Sequence, residues 1–103
     1  MDRFIDTIRE EALQHIEKND NLYLYGSRAR NDNEPDSDWD LLFLTGKDYT
    51  SDENFEKYIY PLILLGQKKQ QEISVLAYSK AEWKRNSPSL FYLNVMNDKI
   101  KII

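Results

Sequence analysis

The segment of residues 26–40 constrains the fold of this chain more than any other, because it joins two short apolar runs through a polar loop. Residues 22–25 are apolar and aromatic, which is typical of a buried strand. Gly26 follows at once, and glycine brings a backbone close to a ligand without steric cost. Residues 38–44 form a second run with strand character. The sequence therefore predicts a strand, a sharp turn, a polar loop and a second strand.

The polar loop carries groups that suit an anion. Ser27 offers a hydroxyl, and its amide is predicted to open a short helix that runs through Arg30. Backbone amides at such a turn favour anions, and guanidinium groups match phosphate oxygens. Gly26, Ser27, Arg28 and Arg30 are therefore candidate phosphate-binding residues. The alternatives are an ordinary strand-ending turn at Gly26 and Ser27 and solvated side chains at both arginines.

Two carboxylates enter the second strand together. In a strand, residues i and i+2 share a face and lie roughly 6.6 to 7 Å apart at Cα. Asp38 and Asp40 should therefore point to one side of the sheet, and the other side takes Trp39, Leu41 and Phe43. Two such carboxylates can bridge a pair of metal ions about 3.5 to 4 Å apart. Oxygen ligands favour magnesium, with manganese as the alternative.

The same residues resemble a known signature. Residues 26–30, Gly-Ser-Arg-Ala-Arg, followed by residues 35–42, Pro-Asp-Ser-Asp-Trp-Asp-Leu-Leu, are similar to the minimal nucleotidyltransferases of the DNA polymerase beta-like superfamily. The family pattern is Gly-Ser, about ten residues, Asp-x-Asp and a third carboxylate on a later strand. Asn31 stands where the family commonly has glycine, and asparagine also accepts positive φ. The resemblance runs from the first helix to about Met96.

The resemblance implies a fold and a set of roles. The fold is α/β (α+β), a small mixed sheet flanked by helices, and the activity is metal-dependent transfer of a nucleoside monophosphate to a hydroxyl. Asp38, Asp40 and Glu72 are implied as catalytic residues and as ligands of two Mg²⁺ ions. Glu72 is the only acid in residues 71–78, and it stands where the family often has aspartate. The alternative for Glu72 is a solvated charge at the start of a strand.

The resemblance also suggests substrates and partners. ATP is the first expectation for the nucleotide, and Gly26, Ser27, Arg28 and Arg30 would hold its phosphates. Minimal members often pair with a small helical HEPN-type protein, in some systems as an antitoxin that transfers AMP onto the toxin. The acceptor site would then be completed by that partner or by a second copy of the chain. The alternatives are a nucleotide-binding module without turnover, a partner protein that acts by contact alone, and transfer to a small molecule such as an aminoglycoside.

Composition sets the remaining limits. Residues 1–103 are predicted to form a single domain, with 41% hydrophobic residues for a modest core. The chain has no cysteine, which excludes disulfides and thiolate metal sites. No apolar run reaches the length of a membrane span, so we expect a cytoplasmic protein. The net charge of −4 argues against non-specific nucleic-acid binding.

The apolar pattern predicts the order of the elements. A helix is expected over residues 3–18, and strands follow near 22–25, 38–44 and 71–78. Ser51 or Asp52 is a candidate cap for a second long helix, which Pro61 should kink or split. Its apolar stripe is predicted to run through Phe55 and Gly66. Ser79 is expected to cap a short helix, and the chain should end with a helix over residues 89–97 and an edge strand over 100–102.

Overall fold

A computed structural model describes residues 4–47, 54–87 and 89–103 of the chain. Strands and helices alternate through most of its length, as the sequence predicts. In chain order the elements are α1 (Phe4–Leu13), β1 (Asn21–Tyr25), α2 (Gly26–Arg30), β2 (Trp39–Thr45), a π-helical segment (Phe55–Ile59), α3 (Tyr60–Lys69), β3 (Ile73–Ser79), α4 (Lys80–Arg85), α5 (Leu90–Asp98) and β4 (Ile100–Lys101).

The four strands form one mixed sheet in the order β3-β2-β1-β4. β2 runs parallel to β3, whereas β1 runs antiparallel to both of its neighbours. β2 therefore lies inside the sheet, and Asp40 is its one residue that is not buried. This mixed sheet with flanking helices confirms the predicted α/β (α+β) fold.

Successive side chains of β2 point to opposite faces of the sheet, so the core consists of one apolar cluster on each face. Trp39, Leu41 and Phe43 pack in one apolar cluster with residues of α1 and α3. Leu42 and Leu44 pack in a second cluster with Trp83 of α4 and Val95 of α5. Helices thus cover both faces, and Asp40 lies on the face of α4 and α5 because it shares the alternation of Leu42.

The first helix is shorter than predicted. α1 ends at Leu13, and the N–H groups of His15 and Ile16 then bond the carbonyl of Ala12 at 3.0 Å each. Asp20 Oδ2 accepts a bond of 2.8 Å from the N–H of Glu17, which fixes the turn that leads into β1. Ile16 still packs against the core, so the apolar spacing continues past the end of the helix.

The helix that contains Pro61 is not interrupted there. It changes from a π-helical to an α-helical form just before the proline. The N–H of Tyr60 bonds the carbonyl of Phe55 across the wide π-helical turn, and α3 then starts with proline in its first turn. The wide turn shifts the buried face, so Tyr58 is buried and Phe55 is 42% exposed. The prediction that Phe55 lies in the buried stripe is therefore wrong. The predicted caps at positions 51 and 52 lie outside the described residues.

The last elements agree with their sequence signals. Ser79 and Glu82 form a reciprocal capping box, in which Ser79 Oγ accepts from the Glu82 N–H at 3.1 Å and Glu82 Oε1 accepts from the Ser79 N–H at 3.0 Å. Ser89 caps α5 through a bond from the N–H of Tyr92. Over the described ranges, no helix is long and apolar enough to cross a membrane.

Candidate active site

The turn between β1 and α2 places a backbone directly against a carboxylate. Gly26 has φ +77°, a backbone conformation that residues with a β-carbon rarely adopt. A β-carbon built on Gly26 would lie 2.5 Å from Asp40 Oδ2. The preceding residue, Tyr25, pairs with Asp40 across the antiparallel ladder. Glycine is therefore required here both for the backbone conformation and for the space that the carboxylate occupies.

Asp38 and Asp40 lie close enough to repel one another. The pKa of Asp40 is raised above its usual value, first by burial and then by the negative charge of Asp38. The positive charge of Arg30 acts in the opposite direction and lowers the pKa. A pair of repelling carboxylates is an arrangement that a divalent cation would stabilise. The oxygen-only donors and the close glycine backbone thus fit a magnesium or manganese ion.

Glu72 lies one residue before β3, at the edge of this arrangement. Its carbonyl accepts a bond of 2.8 Å from the N–H of Trp39, and its side chain is exposed. It also lines a cavity of about 380 Å³ with Gln67, Gln70 and Gln71. In the described part of the chain, no three acidic, histidine or cysteine side chains are grouped around one possible metal position. The structure therefore brings Asp38 and Asp40 together, and the role of Glu72 stays a prediction.

The strand register brings a serine to the place beside Asp40. Ser74 of β3 pairs with Asp40 of β2, and its hydroxyl donates a long bond of 3.4 Å to Asp38 Oδ2. The sequence analysis did not single out Ser74. The signal that could have found it is its position two residues after Glu72 on the same strand face. Only the register between β2 and β3 places it next to the carboxylates.

Arg28 binds the loop that carries Asp38. Its Nε donates to the carbonyl of Ser37 at 3.0 Å and its Nη2 to the carbonyl of Pro35 at 3.1 Å. The guanidinium carbon also lies 4.2 Å from the ring centroid of Trp39. These contacts fasten the second half of the loop to α2. Arg28 therefore holds the loop, and its predicted contact with phosphate remains untested.

Arg30 connects the turn to the last helix. Its Nη1 donates to Asp98 Oδ2 at 2.8 Å, and its Nε donates to Asp32 Oδ2 at 3.1 Å. Both bonds raise the pKa of the guanidinium, and its charge reaches Asp40. Arg30 is thus the residue of α2 whose positive charge acts on Asp40.

Ser27 and Asn31 shape the two ends of the short helix. The carbonyl of Ser27 accepts from the N–H of Asp32 at 3.0 Å, and its hydroxyl makes no hydrogen bond to any described residue. Asn31 ends the helix in the left-handed conformation, with φ 63° and ψ 30°. This confirms that asparagine accepts the positive φ for which glycine is common in the related signature. The hydroxyl of Ser27 is free to donate to a ligand.

Tyr25 adds an aromatic wall to the site. Burial, the charge of Asp40 and the nearby Tyr78 raise the pKa of Tyr25 to about 12. Its hydroxyl therefore stays protonated at neutral pH. The ring meets Phe91 of α5 edge to face, with 6.0 Å between centroids. Asp40 thus has a neutral phenol as its neighbour on β1, and the far side of that phenol packs against a ring that is 43% exposed.

Comparison with known proteins identifies a family model and solved structures that are similar to this chain. A family model described as a nucleotidyltransferase domain matches residues 5–102. One similar solved structure is a toxin–antitoxin crystallised with AMP-PNP, at 16% identity and a TM-score of 0.66, covering 96% of this chain and 72% of that one. Another is a mutant of the toxin–antitoxin MntA-HpeT, at 14% identity and a TM-score of 0.64, covering 96% of this chain and 71% of that one. A search of curated proteins finds no match.

Proposed function

The chain belongs to the nucleotidyltransferase domain family, and from this premise we propose that it transfers AMP from ATP to a hydroxyl group of a partner protein. The observation that carries the proposal is the contact of the Gly26 backbone with Asp40, beside the second carboxylate of Asp38. This geometry supports the proposal, because a phosphate chain held at the turn would lie beside cations held by the two carboxylates. The same turn and the same carboxylates form the signature that the sequence carries.

Asp38 and Asp40 are the residues that would hold the cations, with Glu72 as the proposed third ligand. Magnesium bound there would offset the charge of the triphosphate and lower the pKa of the acceptor hydroxyl. Asp40 suits this role because its own ionisation is disfavoured by burial and by Asp38. Its carboxylate therefore gains more from a bound cation than a solvated one would.

The turn would hold the β- and γ-phosphates of the nucleotide. The Gly26 backbone lies against the carboxylates, and the Ser27 hydroxyl has no partner among the described residues. Arg30 adds a charge that already acts on Asp40. Arg28 reaches a phosphate only by releasing its bonds to Ser37 and Pro35. We therefore assign phosphate binding to Gly26, Ser27 and Arg30. Arg28 holds the loop, and it would contact a phosphate only after releasing these bonds.

The proposed acceptor is a toxin of the HEPN type, and the chain is its antitoxin. Support comes from the similar solved structures, which are toxin–antitoxin proteins. Support also comes from α5, which exposes four large apolar side chains, a pattern typical of interaction surfaces. They are Leu90, Phe91, Leu93 and Met96. Phe91 touches Tyr25, so a partner on this helix would lie beside the carboxylates.

The decisive experiment uses labelled ATP, magnesium and the product of the neighbouring gene as the candidate toxin. Mass spectrometry should detect one adenylyl group on a hydroxyl side chain of the toxin. Asp40→Asn should abolish the addition, whereas Asp36→Asn should retain it, because Asp36 belongs to the exposed turn of the loop. Competition with unlabelled GTP, CTP and UTP then tests the preference for adenine. Absence of transfer with every nucleotide and metal would contradict the proposal.

A second candidate function is nucleotide binding without turnover. The observation that favours it is the exposed side chain of Glu72, which does not complete a three-carboxylate group in the described part of the chain. Under this candidate, ATP binds in the presence of magnesium and neither the toxin nor any small hydroxyl compound is modified. Neutralisation of the toxin would then survive the Asp40→Asn change.

A further inference from the structure

A second cavity opens on the sheet face that also carries Asp40. It has a volume of about 310 Å³ and lies between the sheet, α4 and α5. Its floor includes Leu42 and Leu44 of β2. Leu44 is four residues beyond Asp40, which places its Cα roughly 13 Å along the strand. Leu42 is only two residues beyond Asp40, so the cavity begins near the carboxylates and extends away from them along the same face of the sheet.

The charge of this cavity is concentrated and of one sign. Lys80, Lys84 and Lys99 line it, and the lining contains no carboxylate among the described residues. Lys80 and Lys84 are four residues apart on α4, so they share one face of that helix. None of the three lysines forms an ion pair with a described residue. Three ammonium groups that form no ion pair with a described residue thus lie at one cavity of a chain whose net charge is −4.

The acids of the two helices are committed to other contacts. α4 contains one acid, Glu82, whose Oε1 accepts from the backbone N–H of Ser79 in the capping box. α5 contains one acid, Asp98, which is bound by Arg30 at 2.8 Å. Neither acid balances the lysines of the cavity. Lys80 and Lys84 are exposed, so they present positive charge to an anionic ligand at the mouth of the cavity.

Aromatic groups form the other part of the lining. Tyr23, Tyr92 and Trp83 line the cavity, and the ammonium of Lys99 lies 4.5 Å from the ring centroid of Tyr23. Trp83 is 4% exposed, and its Nε1 is a buried donor without a hydrogen-bond partner in the described part of the chain. Buried donors of this kind are rare and are normally satisfied by a ligand, water or a protein group. The cavity is thus lined by aromatic rings and cations, and one of these rings carries a buried N–H without a partner in the described part of the chain.

We propose that this cavity binds a small phosphate monoester that carries an aromatic ring. A phosphate monoester brings a charge of about −1.5 to −2 at neutral pH and three acceptor oxygens, which matches three lysines better than a single carboxylate does. Lysine binds phosphate as a mobile point charge and needs no bidentate geometry. The ring of the ligand packs against the tyrosine and tryptophan walls. The cavity contains none of the residues proposed to hold the nucleotide or its metal ions, and it shares Met96 with the apolar surface of α5.

Trp83 provides a direct reporter of binding. The chain has two tryptophans, so Trp39→Phe leaves Trp83 as the only indole. Titration with phenyl phosphate in EDTA should change the Trp83 fluorescence saturably, while neutral benzyl alcohol should not. Calorimetry on the unsubstituted chain measures the same affinity and covers the case in which the Trp39 variant folds poorly. Benzoate tests whether a carboxylate is accepted equally well, which would contradict the preference for phosphate.

Matched double variants decide whether the cavity lysines hold the anion. Lys80→Gln with Lys84→Gln should weaken phenyl phosphate binding by at least about tenfold, because two of three cations are lost. Lys68→Gln with Lys69→Gln removes the same charge from exposed positions of α3 and should change the affinity less than about twofold. Asp40→Asn should leave binding unchanged. No saturable binding, equal losses in both double variants, or loss in Asp40→Asn would overturn the proposal.

Discussion

Gly26 and Asp40 are in direct contact across the first turn of the site, since a β-carbon on the glycine would lie 2.5 Å from Asp40 Oδ2. We expect Gly26→Ala to abolish transfer and to destabilise the fold by about 1 to 3 kcal/mol, because it forces both a clash and a strained positive φ. Urea unfolding gives the stability, and mass spectrometry of the toxin gives the transfer.

Asn31 provides the control for this prediction. It also has a positive φ, of 63°, but it ends the short helix at an exposed position. Asn31→Gly should therefore keep both the fold and the activity, since glycine adopts this conformation freely. Equal activity in Gly26→Ala and Asn31→Gly would contradict the close approach of Gly26 to Asp40.

Asp40→Asn should make the protein more stable while removing its activity. The folded-state pKa of Asp40 is raised above its ordinary value of 3.8, so its ionised form destabilises the folded state at neutral pH. This penalty is present above the raised pKa and disappears as pH falls below 3.8, where the carboxyl is protonated in both states. In EDTA, Asp40→Asn should therefore melt roughly 2 to 5 °C above the unsubstituted chain at neutral pH.

Two comparisons make this prediction specific. The difference in melting temperature between Asp40→Asn and the unsubstituted chain should shrink as the pH is lowered toward 4. Magnesium should raise the melting temperature of the unsubstituted chain and have little effect on Asp40→Asn. A variant that melts below the unsubstituted chain at neutral pH would show that Asp40 stabilises the fold.

The sequence predicted the local structure around the candidate site well where its signals are local. Alternation along β2 placed Asp40 apart from Trp39, Leu41 and Phe43, and the structure has them on opposite faces of the sheet. The capping signal at Ser79 was equally local, because the partner groups lie within four residues.

Contacts between residues that are distant in the sequence could not be predicted from local patterns. The register between β2 and β3 decides that Ser74 pairs with Asp40, and no local pattern encodes this register. The π-helical segment before α3 is a second example. In it Tyr58 is buried and Phe55 is exposed, which the apolar spacing of an ordinary α-helix does not predict. The bonds of Arg28 to Ser37 and Pro35 likewise require the loop to fold back on α2. A basic residue in a loop therefore does not reveal whether it binds a ligand or its own chain.

Arg28→Lys should loosen the loop that carries Asp38. Lysine lacks the planar group that bonds two carbonyls and stacks on Trp39, so we expect a loss of about 1 to 2 kcal/mol of stability. Arg30→Lys changes exposed ion pairs and should cost less than about 1 kcal/mol. Urea unfolding of both variants makes the comparison. A larger loss for Arg30→Lys would contradict the holding role of Arg28.

The Glu72→Gln variant tests whether this chain is an enzyme or a nucleotide-binding module without turnover. If Glu72 completes the metal site, the variant keeps its shape but loses a negative ligand, and kcat should fall by about 100-fold. ATP binding should change little, because the phosphates are held by the turn at Gly26 and Ser27. Single-turnover transfer with labelled ATP and calorimetric titration of ATP measure the two effects separately. Glu34→Gln is the matched control, because Glu34 belongs to the polar loop between α2 and β2. Unchanged kcat in Glu72→Gln would show that Glu72 is a solvated charge and that Asp38 and Asp40 act without it.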